Sequence, residues 1–532
     1  MIDIRRDVPR TGKSLMTVFA IAAALGVVWL IGQAVTADAR RAVILLAAAV
    51  AVASVAGKTL NDWRSGAYLF FAWLLFEDLI RKYMGNNMYV YFGKDALIGA
   101  TYVALLMARY RGEAVPRFKV PFKFAFGLFF LLGLAQVFNP GAPSILYGLL
   151  GLKVYFYYVP LMFVGYAMLR TERDLHRFLV ATMGLAAPVA LLGVLQSVLG
   201  LNFLNPHSGA EIEELSHLVR YTPSGVAVPR PPSVFVSDGR FADYLTLALV
   251  LALGTAGYLL VRRTTRGRRI VFPALALIGL ATMVTGGRGV FMYGIISAVL
   301  LSSLMLWGAP PKWGEGYRLV KAIRRSFVFV ALAIAVAEMA FPDVIGARWT
   351  YYRETLSPDS PTNEVALRAW DYPFHNFLLA FTDRDWEIGH GIGTQTLGVQ
   401  YVAKIVGKEV DESIGRFNLE SGWAALIWEQ GILGLILWLA WASSLVFEVF
   451  KVAMKLKGTW AFPLAISILW FDFYLLFPRT FGGLVGYEDF VLNAYFWLFV
   501  GVVFRLPALL EQGSSLQSTV DSQESTVNSQ QL

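Results

Sequence analysis

Long apolar runs alternate with short polar loops along most of the chain, and the alternation is interrupted on a large scale only once. The runs LMTVFAIAAALGVVWLIG, AVILLAAAVAVASVA, FAFGLFFLLGLAQVF and IVFPALALIGLATMV are each long enough to cross a bilayer as a helix. Read in this way the chain is an all-α polytopic membrane protein with about 14 spans. They fall near 15–34, 42–57, 66–83, 94–108, 123–138, 145–169, 177–200, 240–261, 269–285, 289–307, 325–341, 422–449, 460–477 and 490–508. The interruption runs from Phe341 to Trp423 and contains PDVIGARWTYYRETLSPDSP, ALRAWDYPFHN and WEIGHGIGTQTLG. This divides the chain into an N-terminal bundle (1–340) with a shorter outer loop near 202–240, the large loop (341–422), and closing helices (423–510). A Ser/Gln-rich segment, 511–532, lacks apolar periodicity and is expected to be a disordered cytoplasmic tail.

Composition agrees with the pattern. Only 16% of the 532 residues are charged and mean hydropathy is +0.56, whereas soluble proteins carry roughly 25% charged residues. The absence of cysteine excludes disulfides and thiolate metal sites. A net charge of +9 would also suit nucleic acid, but the basic residues sit in short loops, including RRTTRGRR at Arg262–Arg269, and most fall on alternate loops. That is the signature of membrane orientation, and no nucleic-acid partner is expected. Both termini are then cytoplasmic. The 202–240 loop, TGGRG at Thr285–Gly289 and the 341–422 loop share the outer face.

Several outer residues have the chemistry of a site, each with a plainer alternative. Arg288 lies in a glycine hairpin between two apolar runs. A guanidinium near hydrocarbon costs about 2.5–3.5 kcal/mol at a helix centre and usually has an anionic partner, and glycines with a following helix N-terminus suit phosphate. It is otherwise a snorkelling interfacial arginine. Arg230 and Arg240 flank RPPSVFVSDGR, and planar forks suit pyrophosphate; the alternative is solvated loop charge, as for Arg348, Arg353 and Arg368. Glu420 enters an apolar helix and is a candidate general base, or a carboxylate serving the helix dipole. His375 is a second candidate base or a packed interfacial histidine. His390, in GHGIG, is a candidate sugar contact or the mark of a tight turn. Glu77 and Asp78 are followed four residues later by Arg81 and Lys82, the spacing of helical ion pairs. Asp383-Arg384-Asp385 matches a short metal-binding pattern of low specificity.

Over about residues 220–440 the order of motifs resembles the O-antigen ligase/polymerase family of GT-C-type membrane glycosyltransferases. RPPSVFVSDGRFADYLTLAL, TGGRG, ALRAW, IGHGIGTQTLG and ESGWAALIWEQGILGLILWL follow in the family's order. One departure stands out: nine residues before Glu429, the family's His-Asn is replaced by Glu420-Ser421. The substitution favours a polymerase or a divergent exopolysaccharide enzyme over a ligase. The resemblance implies an enzyme of the bacterial inner membrane, acting at the periplasmic face on an undecaprenyl-pyrophosphate-linked glycan, without metal or other cofactor. Membrane lipid and polysaccharide export or chain-length proteins are the implied partners.

On this reading Arg288, helped by Arg230 or Arg240 and by Arg368, holds the pyrophosphate, and Glu420, or failing it His375, deprotonates the acceptor hydroxyl. Trp349, Tyr351, Tyr352 and Trp370 would offer faces to sugars, or act as interfacial anchors. The alternatives are a ligase transferring glycan to lipid A core, a transporter or flippase of anionic or lipid-linked solute, and a scaffold for polysaccharide export. Transporters usually show midplane charges and inverted repeats, and no repeat is visible here.

Overall fold

The computed structural model describes residues 39–85, 88–205, 218–308, 338–357, 364–407 and 420–530, with isolated positions in 24–31 and 321–336. Most of the expected span at 15–34 and part of that at 325–341 lie outside the described residues. The chain forms two units, Met1–Arg117 and Phe118–Leu532.

The first unit contains α1 (Ala39–Asn61), α2 (Trp63–Tyr83) and α3 (Met88–Tyr110). The Asp62 carboxylate caps α2 by accepting from the Arg64 and Ser65 N–H groups, which satisfies donors that the first turn leaves orphaned. Phe70, Phe71, Leu74 and Leu75 bury the apolar face. Asp78 pairs with Arg81 one turn away at 3.1 Å, close to the expected spacing. Glu77 instead meets Lys94 of α3 at 3.1 Å, with both side chains fully buried. A buried pair of this kind fixes helix register more than it adds stability.

The second unit contains α4 (Lys123–Gln136), α5 (Ile145–Phe156), α6 (Leu161–Met168), α7 (Glu172–Leu199), the strands β1 (Val219–Tyr221) and β2 (Ala227–Pro229), α8 (Asp238–Val261), α9 (Arg268–Val284) and α10 (Arg288–Trp307). Then come α11 (Pro342–Leu356), a π-turn at Leu367–Asp371, α12 (Tyr372–Ala380), α13 (Val399–Val406), α14 (Gly422–Lys455) and α15 (Phe462–Tyr474). A second π-turn at Leu475–Arg479, α16 (Val485–Glu488) and α17 (Phe490–Gln530) complete it. The two strands pair antiparallel, with Arg220 opposite Val228. Among the described residues, eight helices are long and apolar enough to cross a membrane, and two shorter apolar helices accompany them. This is a helical membrane protein. The helix α17 continues to Gln530, through the tail expected to be disordered; no proline follows Pro507 to stop it.

Two helices form the centre of this unit. The apolar windows of α8 and α17 are 83% and 89% buried, against 28% for the peripheral α10. Small residues allow the close crossings typical of membrane helices: a Cβ on Gly501 of α17 would stand 2.0 Å from the Met162 carbonyl of α6. Ser237 starts α8 by accepting the Arg240 N–H, and Asp238 in the first turn complements the helix dipole.

The GHGIG segment packs into a break in α14. Gly431 has φ +69, and its Cβ position would lie 2.2 Å from the Glu387 carbonyl, so no other residue fits. Where α14 opens, the segment supplies and receives the backbone bonds: His390 N–H donates to Trp428 O at 2.7 Å, Gly391 N–H to Glu429 O at 3.0 Å and Ile432 N–H to Trp386 O at 3.1 Å. The buried Glu429 carboxylate accepts from the Tyr155 hydroxyl (2.7 Å), Gln395 N–H (2.8 Å) and the Thr396 hydroxyl (2.9 Å). Glu488 accepts from Leu397 N–H at 2.9 Å. The EQG and GHGIG motifs are therefore one structural joint.

Candidate functional site

The second unit holds a cleft of about 770 Å3 at the start of α10, bounded by the β-hairpin, the first turns of α8, α11 and both π-turns. It is within the usual size range of ligand sites. Arg288 opens α10 after Gly286 (φ +67) and Gly287, so the orphan N–H groups of the first turn sit at the cleft's edge. The Arg288 guanidinium lies 5.4 Å from the centre of the buried Tyr351 ring. Arg230, directly after β2, reaches the cleft and pairs with Asp238 at 2.8 Å. Arg368 stands on the first π-turn, exposed, over the Tyr372 ring at 5.5 Å.

Two further arginines complete the lining. Arg220 comes from β1, and Arg479 from the second π-turn. Arg479 is held bidentate by Asp243 of α8, at 3.0 and 2.9 Å. Neither stands out in the sequence. A basic residue beside Pro478 at the end of an apolar run, and a carboxylate inside another, are the available signals. The cleft thus gathers Arg220, Arg230, Arg288, Arg368 and Arg479 in one lining, with Asp243 among them and Asp238 paired to Arg230. Both π-turns carry a cleft arginine, in keeping with the frequency of such irregularities at functional sites.

Arg348 and Tyr352 explain how the cleft keeps its shape. Arg348 is 2% exposed and donates from Nε to the Val284 carbonyl, from Nη1 to Val344 O at 2.9 Å and from Nη2 to Pro229 O at 3.0 Å. Val284 ends α9 just before the Arg288 hairpin, and Pro229 directly precedes Arg230. Burial pushes the Arg348 pKa down to about 10, so the group remains charged at neutral pH. Tyr352 donates to Met283 O at 2.9 Å and stacks on Phe291 at 4.2 Å. Its face is already taken, so it does not serve as the expected sugar platform.

Other expected residues lie elsewhere. Arg240 turns away from the cleft to pair with the buried Asp489 and sits 4.2 Å from the Phe490 ring centre. Trp349 is 57% exposed on α11 and is not among the cleft's lining residues. His390 lies in the α14 joint, bonded to Asp383 at 3.0 Å and packed on Trp428 at 4.2 Å. Its ring and the Asp383 and Asp385 carboxylates bring ligand atoms within 4.8 Å of one another, a set able to hold a divalent cation; none of the three lines the cleft.

Glu420 is half-buried just before α14, with its Oε2 3.4 Å from the Asn376 amide. His375 is exposed on the same helix as Asn376. Aromatic contacts connect this point to the cleft: Trp423 with Phe481 at 5.0 Å, and Phe481 with Trp370 at 5.8 Å. Trp370 adjoins Arg368 and Ala369, and Gly482 follows Phe481; all three neighbours line the cleft. Trp370 also stacks on Phe374 at 5.3 Å and leaves 58% of its surface exposed. No protein-family profile and no curated protein sequence matches the chain.

Proposed function

We propose that this protein is a metal-independent, inverting glycosyltransferase that polymerises O-antigen or exopolysaccharide repeat units from an undecaprenyl-pyrophosphate-linked donor. It acts on the periplasmic side of the bacterial inner membrane, within a bundle of about 14 spans. The observation that carries this reading is the arginine cleft. Planar guanidiniums match pyrophosphate oxygens pairwise, and five arginines line this one cleft. Arginines stabilise the charge that develops on the leaving pyrophosphate as its bond breaks, the role a metal ion has in other glycosyltransferases; loss of one such preorganised donor costs about 10²–10³ in rate.

The reaction balances with this chain's own groups. The acceptor hydroxyl oxygen attacks the anomeric carbon, the bond from that carbon to the pyrophosphate oxygen breaks, and its electron pair leaves with the lipid pyrophosphate. The hydroxyl proton passes to the Glu420 carboxylate. Trp370 offers an exposed face to a sugar ring between Glu420 and Arg368. The position of Glu420 beside Asn376 supports this role, as does the resemblance of the motif order to O-antigen ligases and polymerases.

Purified protein in liposomes, supplied with a lipid-linked repeat unit, tests the reading. Growth of a multi-repeat chain is expected. Transfer to lipid A core would make it a ligase, and translocation without a new bond would make it a transporter.

A further inference from the structure

An apolar groove of about 430 Å3 lies between α10, α14 and α15, with Leu304, Phe447, Phe450, Leu469, Phe473 and Phe477 in its walls. We infer that this groove receives the hydrocarbon chain of the donor whose pyrophosphate occupies the arginine cleft; the inference rests on the function proposed above.

Continuity with the cleft is the first argument. Trp470, Phe473 and Phe477 form one stripe, with ring centres 6.0 and 5.5 Å apart and planes within 30° of parallel. The stripe runs directly into Pro478 and Arg479 of the cleft. On the facing helix, Ile296 lines the cleft, and the next residue, Ser297, accepts the Trp470 indole N–H at 2.8 Å. That bond straps α10 to α15 where the polar cavity gives way to the apolar one. The two cavities are thus successive stretches along the same pair of helices.

Charge and length give the second argument. The cleft is cationic, whereas among the described residues of the groove wall only Ser443 bears a hydroxyl, the Trp470 N–H being already bonded. An amphiphile with an anionic head and a long chain complements the two in order. From Arg288 to Leu304 along α10 is about 24 Å at 1.5 Å per residue, most of the ~30 Å hydrocarbon thickness. Phe447 (57%), Phe450 (45%) and Phe473 (40%) are exposed at the groove, so the chain enters sideways from the bilayer without threading through the protein.

The test places p-benzoylphenylalanine at Phe473 or, as a control, at Phe124, which is 78% exposed on α4 outside the groove. Each protein is irradiated in liposomes containing radiolabelled undecaprenyl pyrophosphate. Label at position 473, displaced by unlabelled undecaprenyl pyrophosphate and absent with Arg288→Ala, is expected. Equal labelling at 124, or displacement by phosphatidylethanolamine alone, would mean annular lipid only and overturn the inference. In parallel, Ser443→Trp should raise KM about tenfold for an undecaprenyl-linked donor, the low end of what one misfitted group costs in an apolar site, while kcat and the KM of a farnesyl-linked donor hold. Equal effects on both chain lengths count against the groove. Equilibrium binding of undecaprenyl pyrophosphate separates the two levels. Binding that depends on Arg288 with no cross-link at 473 removes the groove alone, and no Arg288-dependent binding removes the proposed function as well.

Discussion

Replacing Arg348 with methionine isolates the clamp that sets the cleft's geometry. Methionine keeps most of the side-chain volume but removes all three donors, so the Pro229 carbonyl loses its Arg348 bond and the Val284 carbonyl keeps only the Ser197 hydroxyl at 3.4 Å. A buried group deprived of its partner costs about 1–3 kcal/mol. Part of this is returned, because burial already disfavours the charged guanidinium, as its lowered pKa of about 10 shows. We expect a net loss of about 2 kcal/mol, too little to unfold a bundle of this size. The functional loss should be larger. Val284 and Pro229 lie at the bases of the segments carrying Arg288 and Arg230, and a shift of about 1 Å in a positioned group can cost on the order of 100-fold. Arg348→Met should therefore weaken undecaprenyl pyrophosphate binding by about two orders of magnitude, with a thermal midpoint only a few degrees lower. Arg348→Lys, able to restore one of the carbonyl bonds, should fall between. Binding measured by scintillation proximity, beside a thermal scan of the same preparations, gives both quantities. Parent-like affinity in a folded Arg348→Met protein would refute the clamp.

Other substitutions separate chemistry from architecture. Glu420→Gln should lower kcat about 10²–10⁴-fold while donor affinity is retained; a parent-like rate in the chain-growth assay would put the base elsewhere. Arg240→Met should leave KM for the donor unchanged but lose about 3 kcal/mol of stability, because the buried Asp489 loses its cationic partner and keeps only the Val491 and Leu492 N–H groups; a selective rise in KM would return Arg240 to the site. Glu429→Leu removes the acceptor shared by Tyr155, Gln395 and Thr396. Limited proteolysis should then cut within 386–398, and continued protection would show that the joint does not depend on this carboxylate.

The legibility of the site in the sequence differs by residue. Arg288 stands out because a guanidinium in a glycine hairpin between two apolar runs calls for an anionic partner. Arg230 is legible as a planar fork on an outer loop and Arg368 only as cationic content of the large loop, and both line the cleft. Arg479 is not legible, because its partner Asp243 lies 236 residues away and only folding brings them together. Arg240 resembles Arg230 in its sequence setting, but the Ser237 cap starts α8 between them, and the first helical turn carries Arg240 to Asp489. Tyr352 carries a packing signal that outweighs its suitability as a sugar platform. Arg348, Tyr351, Tyr352 and Thr355 repeat at helical spacing, and all four are buried. The plainer reading of His390, a tight turn, describes its place between two positive-φ glycines. The meeting of Asn376 with Glu420 has no sequence signal, since it depends on how α12 folds back on α14.

The most direct measurement is the stoichiometry of product release. Reconstituted protein is given lipid-linked repeat units in the presence of EDTA, and new glycosidic bonds and free undecaprenyl pyrophosphate are counted together. One lipid pyrophosphate released for each bond formed, insensitivity to the chelator, and loss of both products in Arg288→Ala are expected. Wild-type protein that binds the donor yet forms no bond and releases no undecaprenyl pyrophosphate would contradict the proposed function.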